Sequence, residues 1–231
     1  GRGPYHSFNW RAYVDFGGGA LGDMSCHITD GIYGIMEPDY AATAEPIMMT
    51  GPVGDQWPQG MVVKTEYRAK GDKPAFSTYW YEGKDNDGNP VKPDTPEEML
   101  EDGRELPDNG NLIIGTKGKL FSDGAYWGGP QLIPRAKLVE FGRPEKILER
   151  SPGHHEEFFA ACRGDKPREY SQSNYSYAGP MTANVQLVNL CARAGKTIEL
   201  NDEGVITSDP KINDLAWREP REGWGPMEMK V

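Results

Sequence analysis

A chain of 231 residues is enough for one substantial domain or two small ones. Its net charge of -10 and isoelectric point near 5.0 argue against nucleic acid or an anionic membrane as a main partner. Hydrophobic residues make up only 37%, and the 29 Gly and 19 Pro point to many turns and long loops.

No run of about 18 apolar residues suggests a membrane span. Three cysteines, Cys26, Cys162 and Cys191, are too few and too scattered for a disulfide framework or a Cys-rich zinc site. Each falls beside apolar residues in an expected helix and reads as core packing. The opening GRGPYHSFNW is neither a signal peptide nor a start methionine, so the chain reads as a piece of a longer protein and its compartment is not legible.

In chain order, the first distinctive segment is Gly17 to Asp30, GGGALGDMSCHITD, which admits two readings. Gly17, Gly19 and Gly22 satisfy the G-x-G-x-x-G spacing of a dinucleotide loop, with Glu37 or Asp39 near the place of a ribose-binding acid. Such a loop needs a preceding strand that is a nearly unbroken Val/Ile/Leu run, whereas the approach reads Asn9-Trp10-Arg11-Ala12-Tyr13-Val14-Asp15-Phe16. Nor do strand and helix units repeat afterwards to build a doubly wound sheet. The other reading is a helix opening after a glycine turn, in which Asp23 and His27, four residues apart, share one side with Asp30 near it. Leu21, Met24, Ile28, Ile32 and Ile35 supply the apolar stripe that docks it. An Asp to His hydrogen bond on a solvated face is the plain alternative to a chemical role for the pair.

After Pro38 the pattern turns from helix to sheet. Candidate strands are Ala44 to Thr50, Met61 to Ala69, Ala75 to Tyr81, Asn111 to Thr116 and Lys119 to Ser122, rich in β-branched or aromatic residues and bounded by Gly, Pro or Asp. Gly71-Asp72-Lys73-Pro74 and Thr116-Lys117-Gly118-Lys119 join successive pairs as hairpins. The polar stretch 82–110 is expected to be a surface excursion with a short helix capped by Thr95 ahead of Pro96.

Ser151-Pro152 reads as the start of a helix that presents His155, Phe158, Phe159 and Cys162 on one face and stops at Gly164. Adjacent His154 and His155 point about 100° apart on a helix and do not converge on one ion, so no metal site is expected. A longer helix runs from about Tyr177 to Arg193, with Met181, Val185, Val188 and Ala192 in register and Gly195 as terminator. A last short helix begins at Asp209-Pro210. The whole reads as one α+β domain over 1–231: an open, mainly antiparallel β-sheet with helices on one face. The free sheet face is expected to carry Val63, Thr65, Tyr67, Phe76, Thr78 and Trp80 and to build a homo-oligomer.

Trp10-Arg11 followed by Asp15 to Asp30, DFGGGALGDMSCHITD, resembles the start of the C-terminal domain in the glucose-fructose oxidoreductase, inositol dehydrogenase and rhizopine-catabolism (Gfo/Idh/MocA) family. Gly115-Thr116-Lys117-Gly118-Lys119-Leu120, Ser151-Pro152-Gly153-His154-His155-Glu156-Glu157-Phe158 and the closing Arg218-Glu219-Pro220-Arg221-Glu222-Gly223-Trp224 add to the resemblance, which covers nearly the whole chain.

The resemblance implies an α+β substrate-binding and oligomerisation domain whose partner, an N-terminal Rossmann domain holding NAD or NADP, is absent from this chain. The family's Asp-x-x-x-His pair falls on Asp23 and His27, while its catalytic lysine, in a Glu-Lys-Pro motif, has no counterpart here. The implied activity of the full protein is oxidation of a sugar, polyol or related alcohol by hydride transfer. His27 would accept the hydroxyl proton, since imidazole works near neutral pH, and Asp23 would bind a hydroxyl or orient the ring. Trp10, Arg11 and Asp30 would bind substrate, though a core Trp and a surface Arg fit the first two equally well. Tyr175 and Tyr177, near the start of the long helix, read as packing. The chain alone is expected to hold no cofactor and to be inactive. An NAD-assisted glycoside hydrolase domain and a non-catalytic oligomerisation module are the alternatives.

Overall fold

The computed structural model describes residues 6–51, 53–217 and 219–224. A short 3-10 turn, Asn9–Ala12, leads into helix α1 (Gly19–Met36), and strands β1 (Thr43–Thr50), β2 (Gly60–Tyr67) and β3 (Phe76–Gly83) follow. Next come α2 (Glu97–Glu101), β4 (Gly110–Gly115), β5 (Gly118–Asp123), β6 (Gly128–Ile133), α3 (Arg135–Phe141) and α4 (His154–Arg163). The chain closes with α5 (Tyr175–Ala194), the two-residue strand β7 (Ile198–Glu199) and α6 (Asn213–Ala216). The architecture is α+β with antiparallel pairing, but the single sheet expected divides into two, ordered β3-β2-β1-β7 and β4-β5-β6. The polar, proline-rich stretch after β3 carries the chain away from the first sheet's edge before pairing resumes. β6, with Gly128, Gly129 and Pro130, has no strand-like composition and was not expected.

Alternation along β2 explains the main layer. Met61, Val63, Thr65 and Tyr67 are buried together with Val185, Val188, Cys191 and Ala192 of α5 and Leu21 and Tyr33 of α1. Cross-strand partners Phe76, Thr78 and Trp80 point the same way, and Phe76 stacks on Tyr67 at 4.6 Å. The residues expected to form a sticky free face therefore line the helix-covered core, which is a correction. The open face carries the alternate set, in which Val62 pairs with Met48 and Tyr81, and Lys64 with Glu45 and Tyr79.

α1 docks along Leu21, Ser25 and Tyr33, with Met24, Ile28 and Ile32 half-buried beside them, while Ile35 points to solvent. The stripe is thus rotated relative to the expected one. The small Ser25 admits close packing, Thr29 satisfies its hydroxyl on the Ser25 carbonyl at 2.7 Å, and the Tyr33 phenol meets that of Tyr67 at 2.8 Å inside the core. α5 fulfils its expected pattern and ends on Gly195 in the left-handed region, φ 61.

The second sheet has its own small core of Met99, Leu106, Phe121 and Ile133 with Leu112 against it. Part of the stretch 82–110 is therefore interior. Thr95 does not cap α2; its hydroxyl accepts from Leu106 N–H and ties the strand approach to the helix. Ser151 likewise does not cap α4, whose N-cap is Gly153; its hydroxyl accepts from Gly153 N–H instead. Phe158, Phe159 and Cys162 are exposed rather than packed, and the residue α4 buries is Glu157, held by Gln172 N–H at 3.1 Å. Of the cysteines, Cys191 and Cys26 fit the core reading: Cys26 packs half-buried against the main core, and Cys191 is buried, which pushes its thiol up to about 12. Arg218 lies outside the described residues, and among the described residues no helix is long and apolar enough to cross a membrane.

Candidate functional site

The glycine turn ahead of α1 is shaped by packing. A Cβ on Gly17 would come within 2.8 Å of the Arg11 backbone, and one on Gly19, at φ 70, within 3.1 Å of Trp57. The Gly17 carbonyl accepts from the Trp57 indole at 2.7 Å, and the Gly18 carbonyl from the Asn189 amide at 3.0 Å. Residues 9–12 form a 3-10 turn and Tyr13 makes an isolated bridge to Gln56, so among the described residues no buried strand precedes the loop. With Trp57 against the first helical turn, this loop does not suit a dinucleotide phosphate.

The glycine turn sets the pose of α1. Its inner side is fixed by α5 and β2, which leaves Asp23, His27 and Asp30 exposed on the outer side. Asp23 accepts from Arg11 Nε at 3.0 Å, and the Arg11 guanidinium lies over Trp10 at 4.7 Å and Phe8 at 5.0 Å. The hydrogen bond of Asp23 thus goes to Arg11 rather than to His27. The structure brings Trp10, Arg11 and Asp23 together at the N-terminal end of the helix. Trp10 is neither core nor bare, being 40% exposed under the cation.

His27, one turn along, meets Tyr126, with ring centroids 5.1 Å apart at 62°. The neighbouring Trp127 donates from its indole to the Ile28 carbonyl at 2.9 Å and covers Gly31. Asp30 is committed elsewhere: the Tyr177 phenol sits 2.8 Å from its carboxylate and 2.9 Å from its backbone carbonyl, tying α1 to the start of α5. Burial, helped by that carboxylate, pushes the Tyr177 phenol up. Phe8, Trp57, Tyr126 and Trp127 were missed from the sequence. A glycine inside a helix at His27 plus four was the available signal, because it marks a close approach by something large.

Beneath the start of α1, Glu82 accepts from the Trp80 indole at 2.7 Å. Burial raises its carboxyl above the usual range, opposed by that bond and by Leu21 N–H at the helix start. A cleft of about 630 Å3 runs along α5 against the C-terminal segment, lined in part by Trp57, Asn184, Asn189 and Arg193. Asn184 already serves Ala41 N–H and the Asp39 carbonyl, and Arg193 the Leu215 carbonyl, and among the described residues no His, Asp or Glu lines this cleft. The rings of His154 and His155 lie 4.2 Å apart on exposed α4, and among the described residues no group of three or more His, Cys, Asp or Glu is placed to hold a metal. Compared with models of known protein families and with curated protein sequences, the chain finds no match.

Proposed function

We propose that this chain is the substrate-binding and catalytic-half domain of an NAD(P)-dependent oxidoreductase acting on a sugar, polyol or related alcohol. The observation that carries the reading is the pair Asp23 and His27, one turn apart and exposed on a helix whose other side is locked into the core. A solvent-facing acid and base on a rigid mount suit proton transfer, where position counts for as much as basicity. The nicotinamide, NAD or NADP, would be held outside this chain and would accept the hydride. Within the chain, His27 takes the proton that leaves the hydroxyl as the carbonyl forms. The Arg11 and Asp23 pair offers both a donor and an acceptor to a neighbouring hydroxyl, with Trp10 backing the cation. Asp30 acts through Tyr177 as a brace for the helix. We further propose self-association through the open face of the first sheet, where Val62, Tyr79 and Tyr81 stand among Lys64 and Glu66.

The test is nicotinamide reduction by the full-length protein with myo-inositol, glucose and glycerol. Reduction with at least one of them, lost in His27→Ala, is expected. No reduction with any of them, under either cofactor, overturns the reading.

A further inference from the structure

We propose that Tyr126 is the platform on which a sugar or cyclic polyol ring lies while its reacting hydroxyl meets His27, and so sets a preference for ring over open-chain substrates. The inference rests on the hydride-transfer reading for its substrate class and goes beyond it in naming a specificity-determining residue.

Tyr126 is 71% exposed in the four-residue turn between β5 and β6, and its ring contacts His27. The turn is nevertheless held firmly. Trp127 adopts φ 56, a left-handed backbone that is unfavourable for a bulky residue. Its indole is bonded to the Ile28 carbonyl at 2.9 Å, and its ring fills the space over Gly31, where a Cβ would come within 2.5 Å of Cε2. α1 therefore gives up a side chain in its interior, at a cost in helix stability, to let this ring dock. Strain in the turn and a glycine in the helix converge on one outcome: residues 126 and 127 cover positions 27 and 31, one helical turn apart, and Tyr126 is fixed against His27.

Most of the phenol surface is left for a ligand. Aromatic side chains supply apolar area with a polar tip, and the C–H face of a saturated ring packs on them through weak C–H contacts. Trp10 and Phe8 are already occupied by the Arg11 guanidinium, and Trp57 and Trp127 are committed to the Gly17 and Ile28 carbonyls. A ring set on Tyr126 would bring its hydroxyls toward His27. An open-chain polyol has no such face and gains nothing from the phenol.

The test uses the full-length protein with methyl α-D-glucopyranoside and myo-inositol as ring probes and glycerol as the open-chain probe, read by saturation-transfer NMR. Tyr126→Ala should weaken binding of at least one ring probe by about five- to tenfold and leave the glycerol signal unaltered. Tyr126→Phe should restore the ring affinity that Ala loses. Thermal melting and Trp fluorescence report whether the turn survives, and Tyr126→Leu, which keeps bulk without an aromatic face, should bind like Ala. Equal ring affinity in wild type and Tyr126→Ala, or no saturable binding of either ring probe to wild type, overturns the proposal. Ring binding that depends on Tyr126 without nicotinamide reduction supports the platform and overturns the hydride-transfer reading alone.

Discussion

Helices α1 and α4 look alike in the sequence and end in opposite circumstances. Each has an apolar set at helical spacing with histidine beside it. α1 finds α5 and β2 waiting for Leu21, Ser25 and Tyr33. α4 rests chiefly on the turn Arg168–Tyr170 and leaves Phe158 58% and Phe159 48% exposed, while Ile147 and Leu148 before it are exposed as well. Helical periodicity states that an apolar face exists; it does not state that this chain supplies its partner. The same contrast separates the histidines, since His27 is carried on a fixed mount beside Asp23 and Tyr126, whereas His154 and His155 share an exposed helix and, among the described residues, belong to no group that could hold a metal.

The contrast can be broken or sharpened by substitution. The largest effect is expected at the site: in the full-length protein His27→Ala should lower turnover by about two to four orders of magnitude, as for a lost general base, with folding intact. His155→Ala should leave turnover near that of wild type, and equal losses in steady-state kinetics would erase the distinction between the helices. Next comes packing. Leu21→Ala, at a fully buried position of α1, should cost about 2 to 5 kcal/mol in denaturant unfolding, and Phe158→Ala on α4 less than about 0.5 kcal/mol. Comparable losses would mean that α4 has a partner in solution.

A smaller effect comes from Glu82 beneath the start of α1. Its folded carboxyl titrates above the ordinary range because of burial, so the unfolded chain ionises first as pH rises. Stability is then fully present below the ordinary carboxylate value of about 4.3 and is lost as pH climbs through the higher folded value. Glu82→Gln, uncharged throughout, should match wild type at low pH and melt higher near neutrality; a variant less stable at neutral pH would contradict this. The smallest response expected is no heat at all when the isolated chain is titrated with NAD, and micromolar affinity would revive a cofactor role for Gly17 to Gly22.

The legible parts of the fold were those that rest on local chemistry. Gly195, Asp209-Pro210, the hairpin at Gly71 to Pro74 and the alternation of β2 each state their geometry in a few residues. The division into two sheets was not legible, because it depends on where a long polar excursion returns. The side that β2 buries followed only once α1 and α5 had places, since alternation marks two faces without telling which is covered. At the site, the shared side of Asp23 and His27 was visible from their spacing. The bond from Arg11 to Asp23 and the contact of Tyr126 with His27 join residues 12 and 99 positions apart, which no local pattern encodes.

The most direct measurement of the central claim is chemical rescue in the full-length protein. Turnover of His27→Ala with a sugar or polyol that wild type oxidises should fall and then be restored by free imidazole in a saturable way, because the missing group is a proton acceptor. Full turnover in His27→Ala without imidazole would contradict the account.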